Sequence, residues 1–294
     1  MTLFNDFGDI VQKNAPLGVY TWFQLGGSAD FLAEPRSWDS LAALVKRAAE
    51  AAIPWRLMGG GSNILVRDEG VRGLVIRAFE NLPYEIAIEG NLVRVSGNVP
   101  LSRLITTAVS AGLGGLEGLV GIPGSVGAAL HGNVSANSTD IGRFLKSAAI
   151  LSLNGEVTTR EGADLFFGYR ESPLDDCVII RAEFELHPEA REELSQQMLK
   201  QWIIAKAAQP MGHQCSGRIF KNSNLAADNA SEIIESVGLK GKRIGGAVVS
   251  LRHANFIVAD PECSVEDVLQ LIEFVRDAVF EKTGLELELE LEVW

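Results

Sequence analysis

Eight consecutive residues, Cys215 to Asn222 (CSGRIFKN), place a thiol, a hydroxyl, a glycine and two cations close together. A thiol or hydroxyl beside a guanidinium loses its proton more readily, because the cation favours the anionic form. The same stretch also suits an anion cradle, or a plain turn into a strand. Two glycine runs offer a different chemistry. Gly59-Gly60-Gly61-Ser62-Asn63 directly follows an apolar stretch with strand character, so successive backbone N–H groups can turn toward a phosphate with no Cβ in the way. It lacks the spacing of a dinucleotide fingerprint, and a tight turn explains it equally well. In the second run, Gly118 to Asn133, the segment Gly121-Ile122-Pro123-Gly124-Ser125-Val126-Gly127 is almost devoid of polar side chains. It reads as a backbone wall against a flat ring or a diphosphate, with close helix–sheet packing as the alternative. Arg170, in Tyr169-Arg170-Glu171-Ser172, leaves an apolar setting where a guanidinium needs a carboxylate or a ligand. A structural ion pair is the simpler reading there.

Metal and disulfide chemistry find little support. Cys177, Cys215 and Cys263 are odd in number and lack CxxC spacing, and His131, His187, His213 and His253 form no HExxH motif or close cluster. Each histidine reads as surface or packing, and no metal site is expected. With 294 residues and a formal charge of -12, nucleic acid and anionic membranes are excluded as partners, since both attract the opposite sign. The first residues, MTLFNDFGDIVQKN, carry no basic segment followed by an apolar run. A soluble, cytoplasmic monomer is expected.

The elements that must position these residues follow from periodicity. SWDSLAALVKRAAEAAI has Leu41, Leu44, Val45, Ala48 and Ala52 on one helical stripe behind Ser37 as N-cap, and Pro54 ends it. With the flanking apolar runs it makes a β-α-β unit over about residues 29 to 66. Short strands (YEIAIEG, NLVRVSG) and a helix (PLSRLITTAVSAG) follow, then a hairpin around Asn154-Gly155. PEAREELSQQMLKQWIIAKAAQP is a helix leading to a last region, where SVEDVLQLIEFVRDAVFEKTG is a long helix capped by Ser264 and Asp267 and stopped by Gly284. LELELELEVW alternates strictly, leucines on one face and Glu286, Glu288, Glu290 and Glu292 on the other. The class is α+β, with domains expected at 1–74, 75–190 and 191–294.

Taken together, the motifs resemble one family along nearly the whole chain, the UDP-N-acetylenolpyruvoylglucosamine reductases. TWFQLGGSADFLAEP (21–35), GGGSNILVRD (59–68), GLEGLVGIPGSVG (115–127), FGYRES (167–172), KAAQP (206–210) and GLKGKRIGGAVVSLRHANFIV (238–258) match its motifs in order. The length resembles the shorter class, which lacks an inserted substrate loop. The resemblance implies a three-domain FAD-binding fold of the vanillyl-alcohol-oxidase (PCMH) type, its C-terminal α+β domain enclosing the substrate. It also implies noncovalent FAD, held by Gly59, Gly60, Gly61, Ser62 and Asn63 and by Gly121, Ile122, Pro123, Gly124, Ser125 and Gly127. NADPH is the implied hydride source and an enolpyruvyl nucleotide sugar the substrate, in peptidoglycan precursor synthesis. Arg170 and Glu292 match the pair that stabilises an enolate-like intermediate; Lys206, Asn222 and Tyr169 match substrate contacts.

One departure bears on the chemistry. The family places a serine or cysteine, its proton donor, after the glycine of the CSGRIFKN segment, and here that position is Arg218. A guanidinium with a pKa above about 12 is no general acid near neutrality. Cys215 or Ser216 could take over, Ser216 sharing a face with Arg218 if the segment is extended; water organised by Arg218 could protonate instead; or the protein binds both ligands and reduces slowly or not at all. Other flavin chemistry, or sensing of UDP-sugars through Arg170, Lys206 and Arg218, are the competing functions. VSANS after Asn133 and Ser223 after Asn222 also depart from the family, and the strand at Trp294 is expected to be weakly anchored.

Overall fold

The computed structural model describes residues 4–210, 214–222 and 229–294, so His213 and Ser223 lie outside the described residues. The chain divides into two compact units. Unit 1 is Met1–Lys13, Phe31–Gly60 and Gly73–Ala205; unit 2 is Asn14–Asp30, Gly61–Arg72 and Lys206–Trp294.

In unit 1 the helix α1 (Trp38–Glu50) starts where expected. Ser37 Oγ accepts the Ser40 N–H at 3.1 Å, and Ser40 Oγ accepts the Ser37 N–H at 3.2 Å. Leu41, Leu44, Val45 and Ala48 face Leu74 and Ile76 in a shared core. Ala52, expected on that stripe, lies beyond the helix end with φ 51 and is exposed, because the chain has already turned toward Pro54. The strands Trp55–Met58 and Val71–Arg77 run parallel, and they join Val11–Pro16 and Ser28–Ala33 in one four-stranded sheet. A second, antiparallel sheet has the order Val157–Glu161, Leu145–Ser152, Cys177–Glu185, Leu92–Ser96, Ile86–Glu89. The expected hairpin at Asn154-Gly155 joins its first two strands, with Gly155 at φ 86. Helices α2 (Leu101–Ser110) and α3 (Val126–His131) bury Leu101, Leu104, Ile105, Val126 and Leu130 with Val93, Val95 and Phe184 of this sheet. Helix α4 (Arg191–Ala208) buries only Leu194.

Unit 2 folds around α5 (Ala230–Ser236) and α6 (Val265–Thr283) on an antiparallel sheet of order Gln214–Cys215, Ile257–Ala259, Ala247–Val249, Arg243–Ile244. Ser264 and Asp267 close the expected capping box of α6, and Gly284 ends it at φ 71. Its stripe of Val268, Leu271, Ile272, Val275 and Val279 is fully buried. The C-terminal alternation keeps its facing but not its ladder. Leu287 and Leu291 are buried and Glu286, Glu288 and Glu292 exposed, yet only Glu292–Val293 forms a strand, parallel to Ile64–Leu65. The rest makes single bonds to the 219–221 segment, where the Lys221 N–H donates to the Glu288 carbonyl at 2.9 Å and the Glu290 N–H to the Ile219 carbonyl at 2.8 Å. Weak anchoring at the end is corrected too. The Trp294 N–H donates to the Leu65 carbonyl, and its carbonyl accepts the Arg67 N–H, each at 2.9 Å.

Candidate active site

In unit 1 the two glycine regions meet. A Cβ on Gly59 would have the Ala128 methyl of α3 as its nearest neighbour, at 3.9 Å. Before α3 the chain bends through left-handed backbone at Gly121 (φ 90) and Gly124 (φ 108), and Ser125 then caps the helix through its hydroxyl, which accepts the Ala128 N–H at 3.2 Å. Gly127 follows the packing alternative instead. Its N–H donates to the Gly97 carbonyl at 2.7 Å, and a Cβ would stand 3.0 Å from that oxygen, so close packing accounts for it. In VSANS, Asn137 (φ 50) and Ser138 (φ 61) make a tight turn, and the Asn137 side-chain amide donates to the Gly118 carbonyl at 2.8 Å.

Arg170 stands at the tip of a turn in the same unit. Gly168 and Glu171 exchange backbone bonds of 3.1 and 3.2 Å, leaving Tyr169 and Arg170 as a two-residue loop. Arg170 has φ 56, a left-handed conformation that costs a residue with a Cβ about 1 kcal/mol and recurs where function fixes geometry. What holds the turn is Asn133, which is buried and itself left-handed at φ 39. Its Nδ2 donates to the Gly168 carbonyl at 2.6 Å and its Oδ1 accepts the Gly142 N–H at 3.1 Å. The sequence signalled Asn133 only as the end of a glycine run. Asparagine is, however, the residue after glycine that best tolerates left-handed backbone.

Unit 2 gathers the remaining candidates around Ser62 and Asn63. Gly61 precedes them at φ 65, and a Cβ there would collide with the Tyr20 carbonyl, so only glycine fits. On one side the Gly217 N–H donates to the Ser62 carbonyl at 2.8 Å; on the other the Glu292 N–H donates to the Asn63 carbonyl at 3.0 Å. The Asn63 side chain donates to the Glu290 carbonyl at 2.8 Å and so fastens the C-terminal segment. One short segment thereby brings Arg218, next to Gly217, and Glu292 into one neighbourhood. The Glu292 carboxylate accepts the Trp294 indole N–H at 3.0 Å.

The CSGRIFKN segment is a strand only at Gln214–Cys215 and then bends at Gly217. Cys215 is buried, and burial alone pushes its thiol up to about 11, so the expected activation by Arg218 does not reach it. The buried Ser216 hydroxyl donates to the neighbouring Gly217 carbonyl at 3.0 Å. Arg218 instead acts on His253, whose pKa falls to about 4 through burial, then Arg218, then Lys240, against a smaller opposite pull from Glu235. His253 is thus neutral, its Nδ1 accepting the Asn255 N–H at 3.3 Å. Asn255 in turn pins the segment, its Oδ1 accepting the Phe220 N–H at 2.9 Å and its carbonyl the Ile219 N–H at 3.1 Å.

Comparison with known proteins places the chain. A family model described as the C-terminal domain of UDP-N-acetylenolpyruvoylglucosamine reductase matches residues 209–294, and one described as an FAD binding domain matches 29–160. The reductase of that name from Bacillus licheniformis is 36% identical over 286 residues, spanning 96% of this chain and 93% of the relative. The chain belongs to the UDP-N-acetylenolpyruvoylglucosamine reductase family. A second reductase of this name, from Symbiobacterium thermophilum, is 37% identical over 97% of this chain and 92% of its own. The crystal structure of the Thermus caldophilus reductase superposes with a TM-score of 0.81 at 34% identity, covering 97% of this chain and 98% of that one.

The residues of unit 1 fit the FAD of this family. Gly59 and Gly60 have room for a side chain, since a Cβ at either position would find its nearest heavy atom 3.9 Å away, so protein packing does not require glycine there. That room leaves the backbone open to close approach by a ligand. Lys206 lies exposed in the last turn of α4, and Tyr169 is exposed beside Arg170. Asn222 Oδ1 accepts the Ala230 N–H at the start of α5 at 3.1 Å, which turns its amide N–H pair away from that helix.

Proposed function

We propose that the protein reduces UDP-N-acetylglucosamine enolpyruvate to UDP-N-acetylmuramate in peptidoglycan precursor synthesis, in the cytoplasm and as a monomer. The observation that carries this reading is the conjunction in unit 2: Ser62 and Asn63 bonded on one side to Gly217, beside Arg218, and on the other to Glu292, in a chain related to the reductases over nearly its whole length. Bound FAD, held noncovalently, supplies the hydride that it receives from NADPH. The chain's tasks are then to hold the substrate, favour the developing charge and provide a proton.

Arg170, presented on its turn by Asn133, is assigned to the substrate carboxylate, for which a guanidinium offers paired donors. Glu292 is assigned to the face of the enolate-like carbon. Lys206, Tyr169 and the Asn222 amide are assigned to the nucleotide diphosphate and sugar. For the proton, the buried thiol of Cys215 and the committed hydroxyl of Ser216 favour water held by Arg218 as the donor. The guanidinium orients that water and offsets the negative charge without itself giving up a proton. The sensing alternative draws on the same Arg218 and differs in predicting flavin that never cycles.

An anaerobic two-step experiment tests the proposal. The protein's flavin is reduced with NADPH, the enolpyruvyl UDP-sugar is added, and the return of yellow absorbance is followed while the lactyl-ether product is assayed. Reoxidation with product is expected; flavin that reduces and stays bleached would overturn the reductase reading.

A further inference from the structure

Glu292 is an exposed side chain with three rotatable bonds, yet one of its carboxylate oxygens is held. Trp294, two residues on, reaches the same face of the extended segment and donates its indole N–H to Glu292 Oε2 at 3.0 Å. Trp294 is itself well fixed. The residue is 8% exposed, and its backbone is bonded at both N–H and carbonyl to the strand end at Leu65 and Arg67. The donor is therefore rigid, and the acceptor is the group assigned to the substrate.

We propose that Trp294 is a positioning residue of the reductase reaction, locking Glu292 in one rotamer through the indole N–H so that the second carboxylate oxygen faces the substrate. This rests on the assignment of Glu292 above. The physical basis is preorganisation: without the bond, ordering a glutamate side chain must be done during the reaction, and a hydrogen bond to a charged acceptor is among the stronger ones. Because indole only donates, it can hold the carboxylate but cannot compete with it for a proton.

The test separates the two half-reactions in the holoenzyme. In Trp294→Phe, reduction of flavin by NADPH is expected at the wild-type rate with full flavin content, while reoxidation by the enolpyruvyl sugar slows about tenfold, the loss expected for one hydrogen bond to a charge. Replacing Trp294 by its benzothiophene analogue, which keeps the ring shape and lacks only the N–H, should give the same split and covers the case in which Phe fails to pack. Trp294→Phe added to Glu292→Gln should cost nothing further, since the bond then has no carboxylate to hold. Equal slowing of both half-reactions, lost flavin, or an additive double variant would mean a merely structural tryptophan and overturn the proposal. Glu292→Gln slow with Trp294→Phe at wild-type rate would overturn the positioning alone. Glu292→Gln at wild-type rate would instead overturn the assignment of Glu292, and the proposal with it.

Discussion

Removing the Asn133 side chain tests how the Arg170 turn is built. In Asn133→Ala, around a residue that is 2% exposed, the Gly142 N–H loses its partner (3.1 Å), and the Gly168 carbonyl loses its 2.6 Å bond and keeps only the Glu171 N–H at 3.2 Å. Leaving the buried N–H unsatisfied costs about 1–3 kcal/mol and losing the second bond about 1 kcal/mol, together about 2–4 kcal/mol. An alanine forced to φ 39 adds about 1 kcal/mol. At about 2 °C per kcal/mol for a domain of this size, the Tm of unit 1 should fall by at least about 6 °C. Asn133→Asp separates the two bonds. It keeps an acceptor for Gly142 but sets a carboxylate oxygen against the Gly168 carbonyl, so the turn carrying Arg170 is pushed away. Its stability loss should be at least as large as that of the alanine variant, since a buried carboxylate then faces an acceptor, while flavin reoxidation by the enolpyruvyl sugar slows at least tenfold and reduction by NADPH holds. Thermal melts followed by circular dichroism, with stopped-flow traces of each half-reaction, read both effects. A melting point within 1 °C of wild type for Asn133→Ala, or equal slowing of both half-reactions in Asn133→Asp, would refute the reasoning.

Neighbouring glycines should respond in opposite ways. Gly61→Ala, whose Cβ would collide with the Tyr20 carbonyl, should lower the melting temperature sharply, whereas Gly60→Ala, with 3.9 Å to its nearest neighbour, should melt normally without flavin and bind FAD at least tenfold more weakly by fluorescence titration. His253 makes stability pH-dependent. Its folded pKa of about 4 lies below the ordinary 6.5, so the unfolded chain binds the proton first, stability is complete above pH 6.5, and it is lost as pH falls toward 4. Urea midpoints between pH 7 and 4 should show that slope, and His253→Gln should flatten it. Arg218→Ser removes one cause of the depression and supplies a hydroxyl. NMR titration should find the His253 pKa raised, and the second half-reaction should speed up; an unchanged His253 pKa would separate the two residues.

Much of the scaffold was legible because it depends on residues close together in the chain. The Ser37 and Ser264 caps, the Gly284 stop, the Asn154-Gly155 hairpin and the inward leucines before Trp294 need only local sterics, local hydrogen bonds and one buried face. The ordered motifs likewise named the family. Periodicity could not show that the last ten residues would form bonds to single segments instead of a ladder. Nor could it show that the thiol and hydroxyl before Arg218 would turn inward. Those outcomes depend on which distant backbone groups each segment meets: Ser62 and Asn63 with Gly217 and Glu292, Asn133 with Gly168, Trp294 with Leu65 and Arg67. By itself the sequence determined most of the elements and the family. Only the tertiary structure decided which side chain holds which reacting group, because a buried hydrogen bond is selected by the partners that folding leaves within reach.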